Sequence, residues 1–258
     1  EHELRFIERT GIQKRAVKQF HWGGGTPTSL DPDQLEQLFG SIMSRFHMAE
    51  GAEVSIEVDP RVTTPEQIER LAGLGFNRIS MGVQDFEPEV QQAIKRVQSE
   101  ELTRNIIQSA REAGMRSVNI DLIYGLPHQT RDGFKRTVET TLDIAPERVA
   151  LFHYAHVPWM KKHQAAMDVD AMPSAEEKLD LFADSIDAFD GAGYVYLGLD
   201  HFALPEDELS VAAADGSLHR NFMGYTTQRG REMVSLGVSS IGEVDGCYVQ
   251  NIANEPEY

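Results

Sequence analysis

The chain is short of three things: cysteine, positive charge and long apolar runs. Cys247 is the single cysteine in 258 residues. No internal disulfide is then possible, and a lone thiol suits a reducing cytoplasm. An iron–sulfur cluster takes several thiolates, so this chain has no ligand set for one. Lys and Arg number 24 against 41 Asp and Glu, a formal net charge of -17. That balance argues against nucleic acid and against an anionic membrane surface as partners. No apolar stretch reaches membrane-spanning length, and the start Glu1-His2-Glu3-Leu4 is not a signal peptide. The expectation is a cytoplasmic monomer that acts on a small molecule. Glu1 is not an initiator methionine, so the chain reads as a possible fragment.

What the chain does have is a cluster of glycines at one turn. His21-Trp22-Gly23-Gly24-Gly25-Thr26-Pro27-Thr28 follows an apolar segment, residues 16–20, that reads as a strand. It precedes Asp31-Pro32 and a helical pattern over 34–46. Glycine takes φ > 0 freely and lets backbone approach a ligand closely. A turn between a strand's carboxyl end and a helix can present N–H groups to a carboxylate or phosphate. The same glycines fit a tight connection that binds nothing. The spacing matches neither of the two common phosphate-binding loops.

Period-2 alternation predicts strands over 53–59, 77–84, 115–124, 148–154 and 194–199. Caps and apolar spacing predict helices over 3–13, from Thr64-Pro65 to Gly73 or Gly75, over 88–96, from Ser99 to Gly114, over 130–144 and from Ser174 to Phe189. Strands alternating with helices mean an α/β protein with a parallel sheet. About six such units are visible, against eight in the closed barrel. Beyond Leu218 the pattern weakens into short β-like runs marked by Gly224, Gly230, Gly237, Gly242 and Gly246.

A flat sheet covered by helices on both sides has strands that are apolar on both faces. Here Glu57, Gln84 and Asp121 each lie late in a strand on its polar face. Burying them against helices would be expensive. A partial or full barrel puts them in a lumen at the strands' carboxyl ends; a half-covered sheet would show them to water instead. His21, His153, His156 and His201 at strand ends raise a rival, a metal-dependent barrel hydrolase. The odd spacing of His153 and His156 sends them to opposite faces of a strand, which weakens it. Arg96 reads as a solvated helix charge, Lys161-Lys162 as loop surface and Cys247 as a packed thiol.

Several longer motifs now stand in order. They are the glycine turn, Glu57-Val58-Asp59-Pro60-Arg61, Ser80-Met81-Gly82-Val83-Gln84-Asp85-Phe86 and Asn119-Ile120-Asp121-Leu122-Ile123-Tyr124-Gly125-Leu126-Pro127. Tyr154-Ala155-His156, Asp200-His201-Phe202-Ala203 and Leu218-His219-Arg220-Asn221-Phe222-Met223-Gly224-Tyr225-Thr226-Thr227 follow. Together they resemble the radical S-adenosylmethionine enzymes of haem synthesis, and within these the oxygen-independent coproporphyrinogen III oxidase (dehydrogenase) family. The resemblance implies a (β/α)6 partial barrel, here as a single core over 1–258. It implies oxidative decarboxylation of two propionates of coproporphyrinogen III to vinyls, giving protoporphyrinogen IX in porphyrin biosynthesis. The cofactors implied are a [4Fe-4S] cluster, fed by an electron donor, and two molecules of S-adenosylmethionine.

Carried over by motif, Gly24, Glu57 and Ile241 contact the cluster-bound S-adenosylmethionine. Gly25, Thr26, Gln84, Arg96, Asp121 and Ala155 contact the second. No catalytic residue is assigned. The family's Cys-x-x-x-Cys-x-x-Cys belongs upstream of the glycine turn and its C-terminal helical domain after Tyr258. The chain as given is therefore expected to hold no cluster and to be inactive alone. A haem-chaperone relative and a cluster-less protein that binds S-adenosylmethionine or porphyrin are the alternatives. A tetracarboxylate substrate needs cations, and Arg61, Arg78, Arg96, His201 and Arg220 are the candidates.

Overall fold

A computed structural model describes residues 2–229 and 232–258. Gly230, one of the punctuating glycines, lies outside the described residues. The chain begins with α1 (His2–Thr10), then β1 (Ala16–Trp22) and α2 (Pro32–Met43). Asp31 caps α2 by accepting from Gln34 N, while Pro32 sits in the first turn, where its missing N–H costs nothing. There follow β2 (His47–Val58), α3 (Pro65–Gly73), β3 (Arg78–Gln84), α4 (Pro88–Ala93) and α5 (Glu100–Glu112). Next come β4 (Ser117–Tyr124), α6 (Arg131–Ile144), β5 (Arg148–His153) and α7 (Ala175–Gly191). The chain then runs through β6 (Val195–Gly198), β7 (His201–Ala203), α8 (Glu208–Asp215) and two hairpins, β8 (His219–Asn221) with β9 (Gly224–Thr226) and β10 (Ile241–Val244) with β11 (Cys247–Gln250).

Seven strands form one curled half-barrel sheet in the order β1-β2-β3-β4-β5-β7-β6. The first five are parallel, as the alternation of strands and helices requires. The sixth predicted strand does not dock directly on β5. The chain turns back at Leu199, φ 51, and the three-residue β7 inserts antiparallel between β5 and β6. The β7 strand and α8 carry no period long enough to read from sequence. Several predicted bounds also move: α1 ends at Thr10 rather than residue 13 and α2 at Met43 rather than residue 46. β2 starts at His47 rather than residue 53, and α4 ends at Ala93, short of Arg96.

Alternation sorts the strand residues onto two faces. Val54, Ile56 and Val58, then Ile79, Met81 and Val83, then Val118, Ile120 and Leu122 are buried in one core with Leu35, Ile68, Ile106 and Phe134 from the helices. At about 25 cal/mol per Å² this helix-facing layer is the main driving force of the fold. Phe20 and Trp22 extend it at the β1 edge by ring contacts with Phe39 and Phe76. The opposite, lumen face carries the polar set.

At the amino ends of the strands that lumen is closed by charge. Arg78 pairs with Glu53 at 3.2 Å and with Glu208 at 2.8 Å. Arg148 pairs with Asp207 at 2.8 Å and Glu208 at 3.3 Å. Asp207 also caps α8 through Leu209 N, so one helix start plugs the bottom of the half-barrel. Burial pushes the Glu53 carboxyl above its usual range, with both arginines opposing.

Candidate cofactor site at the carboxyl ends of the strands

The glycine turn leaves β1 with Gly24 at φ 77 and Gly25 at φ 60. Such backbone is nearly free for glycine and strained for other residues. The turn is tied to β2 by one side chain. Glu57 accepts from Gly24 N at 3.2 Å and meets His21 Nε2 at 3.4 Å. His21 Nδ1 in turn meets Ser55 Oγ at 2.8 Å. The His21 hydrogen bond, helped by Gly24 N and against burial, holds the Glu57 carboxyl below its usual range. Gly23 is required for this approach. A Cβ there would stand 2.6 Å from His21 Nε2 and 3.0 Å from Glu57 Oε1.

Next along the sheet, Asp121 lies in register with Gly82. Asn119 Nδ2 donates to Asp121 Oδ1 at 2.7 Å and to Ser80 Oγ at 2.8 Å. Burial pushes the Asp121 carboxyl up to about 7, and the charge of Glu57 adds to that. The Asn119 hydrogen bond and the Arg96 charge pull the other way. Gln84 ends β3 at φ 69, and its Oε1 is buried without a partner. A buried acceptor of this kind calls for a donor, from water or from a ligand.

Arg96 is not the solvated helix charge read from sequence. Lys95 takes φ 55 just beyond α4, and the chain turns Arg96 back over β3. Its Nη2 and Nε donate to Gly82 O at 2.8 and 3.2 Å, and its Nη1 stands 3.3 Å from Asp59. Gly82 makes room for this. A Cβ at 82 would overlap Gln84 Nε2 and come within 3.3 Å of Arg96 Nη2. Gly82→Ala should therefore displace two flexible side chains rather than backbone. The melting temperature should stay within a few degrees, while S-adenosylmethionine affinity falls about tenfold or more, about 1.4 kcal/mol. Parallel thermal melts and calorimetric titration check it, and an unchanged affinity would count against the placement.

The remaining residues carried over by motif join this group unevenly. Thr26 O accepts from Ser29 N in the turn itself. Ala155 follows β5, and its carbonyl accepts from Gln164 Nε2 at 3.1 Å. Ile241 comes from off the sheet, at the start of β10, where its carbonyl takes the Ser235 hydroxyl. Among the described residues no group of three His, Cys, Asp or Glu side chains could hold a metal ion. The four strand-end histidines thus do not converge. Cys247 is exposed, not packed. It sits on β11, whose four residues are all exposed on a two-stranded hairpin with no layer over them.

Sequence reasoning gave one residue of these motifs no role. Asp85 is fully buried directly after Gln84. It accepts from Thr137 Oγ1 at 2.6 Å, Gln129 Nε2 at 2.6 Å and Glu87 N at 2.8 Å. Gln129 Oε1 then takes Gly125 N and Leu126 N, which fixes the turn after β4. Burial raises the Asp85 carboxyl against those hydrogen bonds. The signal was present in the adjacent motifs Gln84-Asp85-Phe86 and Gly125-Leu126-Pro127, but not the fact that they touch.

The family model of the Radical SAM superfamily matches residues 1–141, more than half of the chain. The chain belongs to the radical SAM superfamily. A protein named oxygen-independent coproporphyrinogen III oxidase from Synechocystis sp. is 47% identical over 239 residues, 93% of this chain and 51% of that protein. One of the same name from Escherichia coli (strain K12) is 44% identical over 244 residues, 95% of this chain and 53% of the relative. The solved coproporphyrinogen III oxidase from Escherichia coli superposes with a TM-score of 0.96 at 43% identity, over 99% of this chain and 59% of that one. The chain spans about half the length of the curated relatives it matches.

Membership implies S-adenosylmethionine and a [4Fe-4S] cluster. The residues of this chain fit the first and not the second. The Gly25 turn amide, the carboxylates of Glu57 and Asp121, and the unpaired Gln84 Oε1 suit a ligand with a carboxylate, an ammonium and ribose hydroxyls, while Gly24 N is taken by Glu57. One exposed thiol does not suit a cluster, which takes several thiolates. No helix among the described residues is long and apolar enough to cross a membrane.

Proposed function

We propose that this chain is the S-adenosylmethionine-binding barrel of an oxygen-independent coproporphyrinogen III oxidase, which converts two propionates of coproporphyrinogen III to vinyls. The supporting observation is spatial. Glu57, Gln84, Arg96 and Asp121, implied by motif on separate elements, meet at one end of one lumen, beside the glycine turn. The names of the relatives support the oxidase over the haem-chaperone and cluster-less readings.

In this reading Glu57 holds the glycine turn in the shape that receives one S-adenosylmethionine, with Gly24 and Ile241. Gly25, Thr26, Gln84, Arg96, Asp121 and Ala155 receive the second. When bound, S-adenosylmethionine supplies the group that removes hydrogen from an unactivated carbon. The protein orients that group and keeps water away from it. Arg61 and Arg78 are poorly placed to hold propionates. Arg61 is forked onto Asp59 at 2.6 and 3.0 Å. Arg78 sits at the opposite end of β3 from Gln84, roughly 20 Å away at about 3.3 Å per residue.

Calorimetric titration of the chain with S-adenosylmethionine tests this. Saturable binding is expected, and Glu57→Ala should weaken it about 30-fold, since one charge-assisted tie of about 2 kcal/mol is lost. Glu57 is exposed, so the variant should melt like the parent. Absence of any binding to the folded chain would overturn the proposal.

A further inference from the structure

One corner of the lumen mouth is not used by the cofactor assignment. His201 lies on β7 in register with Ala150 of β5, which places it on the lumen face. Its ring packs edge-on against Phe152 at 5.9 Å and Tyr225 at 5.3 Å. Nδ1 is buried without a partner, while Nε2 is not among the buried atoms and takes no hydrogen bond from the described residues. Keeping the proton on Nε2 leaves no unpaired donor buried, so that tautomer is favoured, with its N–H toward the mouth.

Arg220 stands close by on β8. It is exposed and has no carboxylate partner among the described residues. The other arginines weighed as substrate cations are engaged, Arg61 by Asp59, Arg78 by Glu53 and Glu208, and Arg96 by Gly82 O and Asp59. The hairpin that carries Arg220 is held across the open side of the sheet. Thr226 Oγ1 meets Gln19 Oε1 of β1 at 3.1 Å, while Tyr225 packs on His201 of β7. Burial disfavours protonation of His201, and the charges of Arg220 and Arg148 add to this against Asp200. A carboxylate between His201 and Arg220 would reverse that repulsion. Phe152, on the rim at 36% exposure, offers a flat apolar wall beside the pair.

We propose that His201 Nε2 and the Arg220 guanidinium form a carboxylate-binding corner that takes one carboxylate of a multiply carboxylated tetrapyrrole macrocycle. The ligand class rests on the oxidase reading; the corner itself rests on the geometry. An Arg fork and an imidazole N–H are a sufficient donor set for a carboxylate. The aromatic rim supplies the contact that separates a macrocycle from a free acid.

The test uses the chain with ¹⁵N-labelled imidazoles, observed by NMR, and two probes, propionate and the stable oxidised porphyrin coproporphyrin III. Both probes should shift the His201 ring nitrogens saturably, coproporphyrin III at far lower concentration. Arg220→Ala should weaken coproporphyrin III binding about tenfold or more, with Arg220→Lys recovering part of the loss. S-adenosylmethionine affinity should be unchanged in both variants. If neither probe moves His201, or if Arg220→Ala binds coproporphyrin III like the parent, the corner is refuted. If propionate saturates it in an Arg220-dependent way but coproporphyrin III binds no more tightly, the corner stands and the oxidase reading loses its substrate.

Discussion

Asp85→Ala should cost about 3–5 kcal/mol of folding stability, a large part of what a domain has to lose. The carboxylate is fully buried and accepts three hydrogen bonds. Alanine leaves the Thr137 hydroxyl and Glu87 N without an acceptor, each at about 1–3 kcal/mol, and adds a cavity. Asp85→Asn separates these causes. Its carbonyl can still serve Thr137 and Glu87 N, but its amide nitrogen faces the Gln129 amide, donor against donor. That variant should cost about 1–2 kcal/mol. Urea unfolding with the slope held constant measures both. A loss under 1 kcal/mol for alanine would mean that the network is not what holds the β3 and β4 turns together.

The ranking of Asp85 above its neighbours illustrates what the sequence could not say. The strands with apolar residues at every second position were legible because one face of each meets helices and the other a lumen. That alternation alone places Glu57 and Asp121 on one side, and the structure keeps them there. Gln84 reaches the same side by a different route, since the register shifts after Gly82 and its side chain folds back over that glycine. Capping residues Asp31, Thr64, Ser99, Thr130 and Ser174 were legible for a similar reason, since a cap bonds within its own first turn. Arg96 and Asp85 were not. Their partners lie 14 residues away at Gly82 O and 52 away at Thr137. Only the curled sheet brings those groups within reach. The inserted β7 failed for a further reason, because three residues hold too little period to show a strand.

Asp121 carries the prediction that joins stability to binding. Its carboxyl stands at about 7 in the folded chain against 3.8 ordinarily. Below pH 4 it is protonated whether the chain is folded or not, and it costs nothing. Between about 4 and about 7 the unfolded chain ionises it while the folded chain keeps the proton. Folding then binds protons, so its contribution turns increasingly unfavourable as pH rises through that window and levels off above 7. Asp121→Asn should remove this slope and be more stable than the parent at pH 8.

Binding runs the other way on the proposed assignment. S-adenosylmethionine is cationic at its sulfonium and ammonium, and a nearby cation favours the ionised carboxylate. Its affinity for the parent should therefore rise between pH 6 and pH 8, with a proton released at the lower pH. Asp121→Asn should bind about 100-fold more weakly at pH 8, near 2.7 kcal/mol, with no pH slope from this group. Titration calorimetry in two buffers of different ionisation enthalpy reads affinity and proton release together. A parent whose affinity is flat from pH 6 to 8 would detach Asp121 from the ligand. A slope that survived in the asparagine variant would assign the released proton to a group other than Asp121.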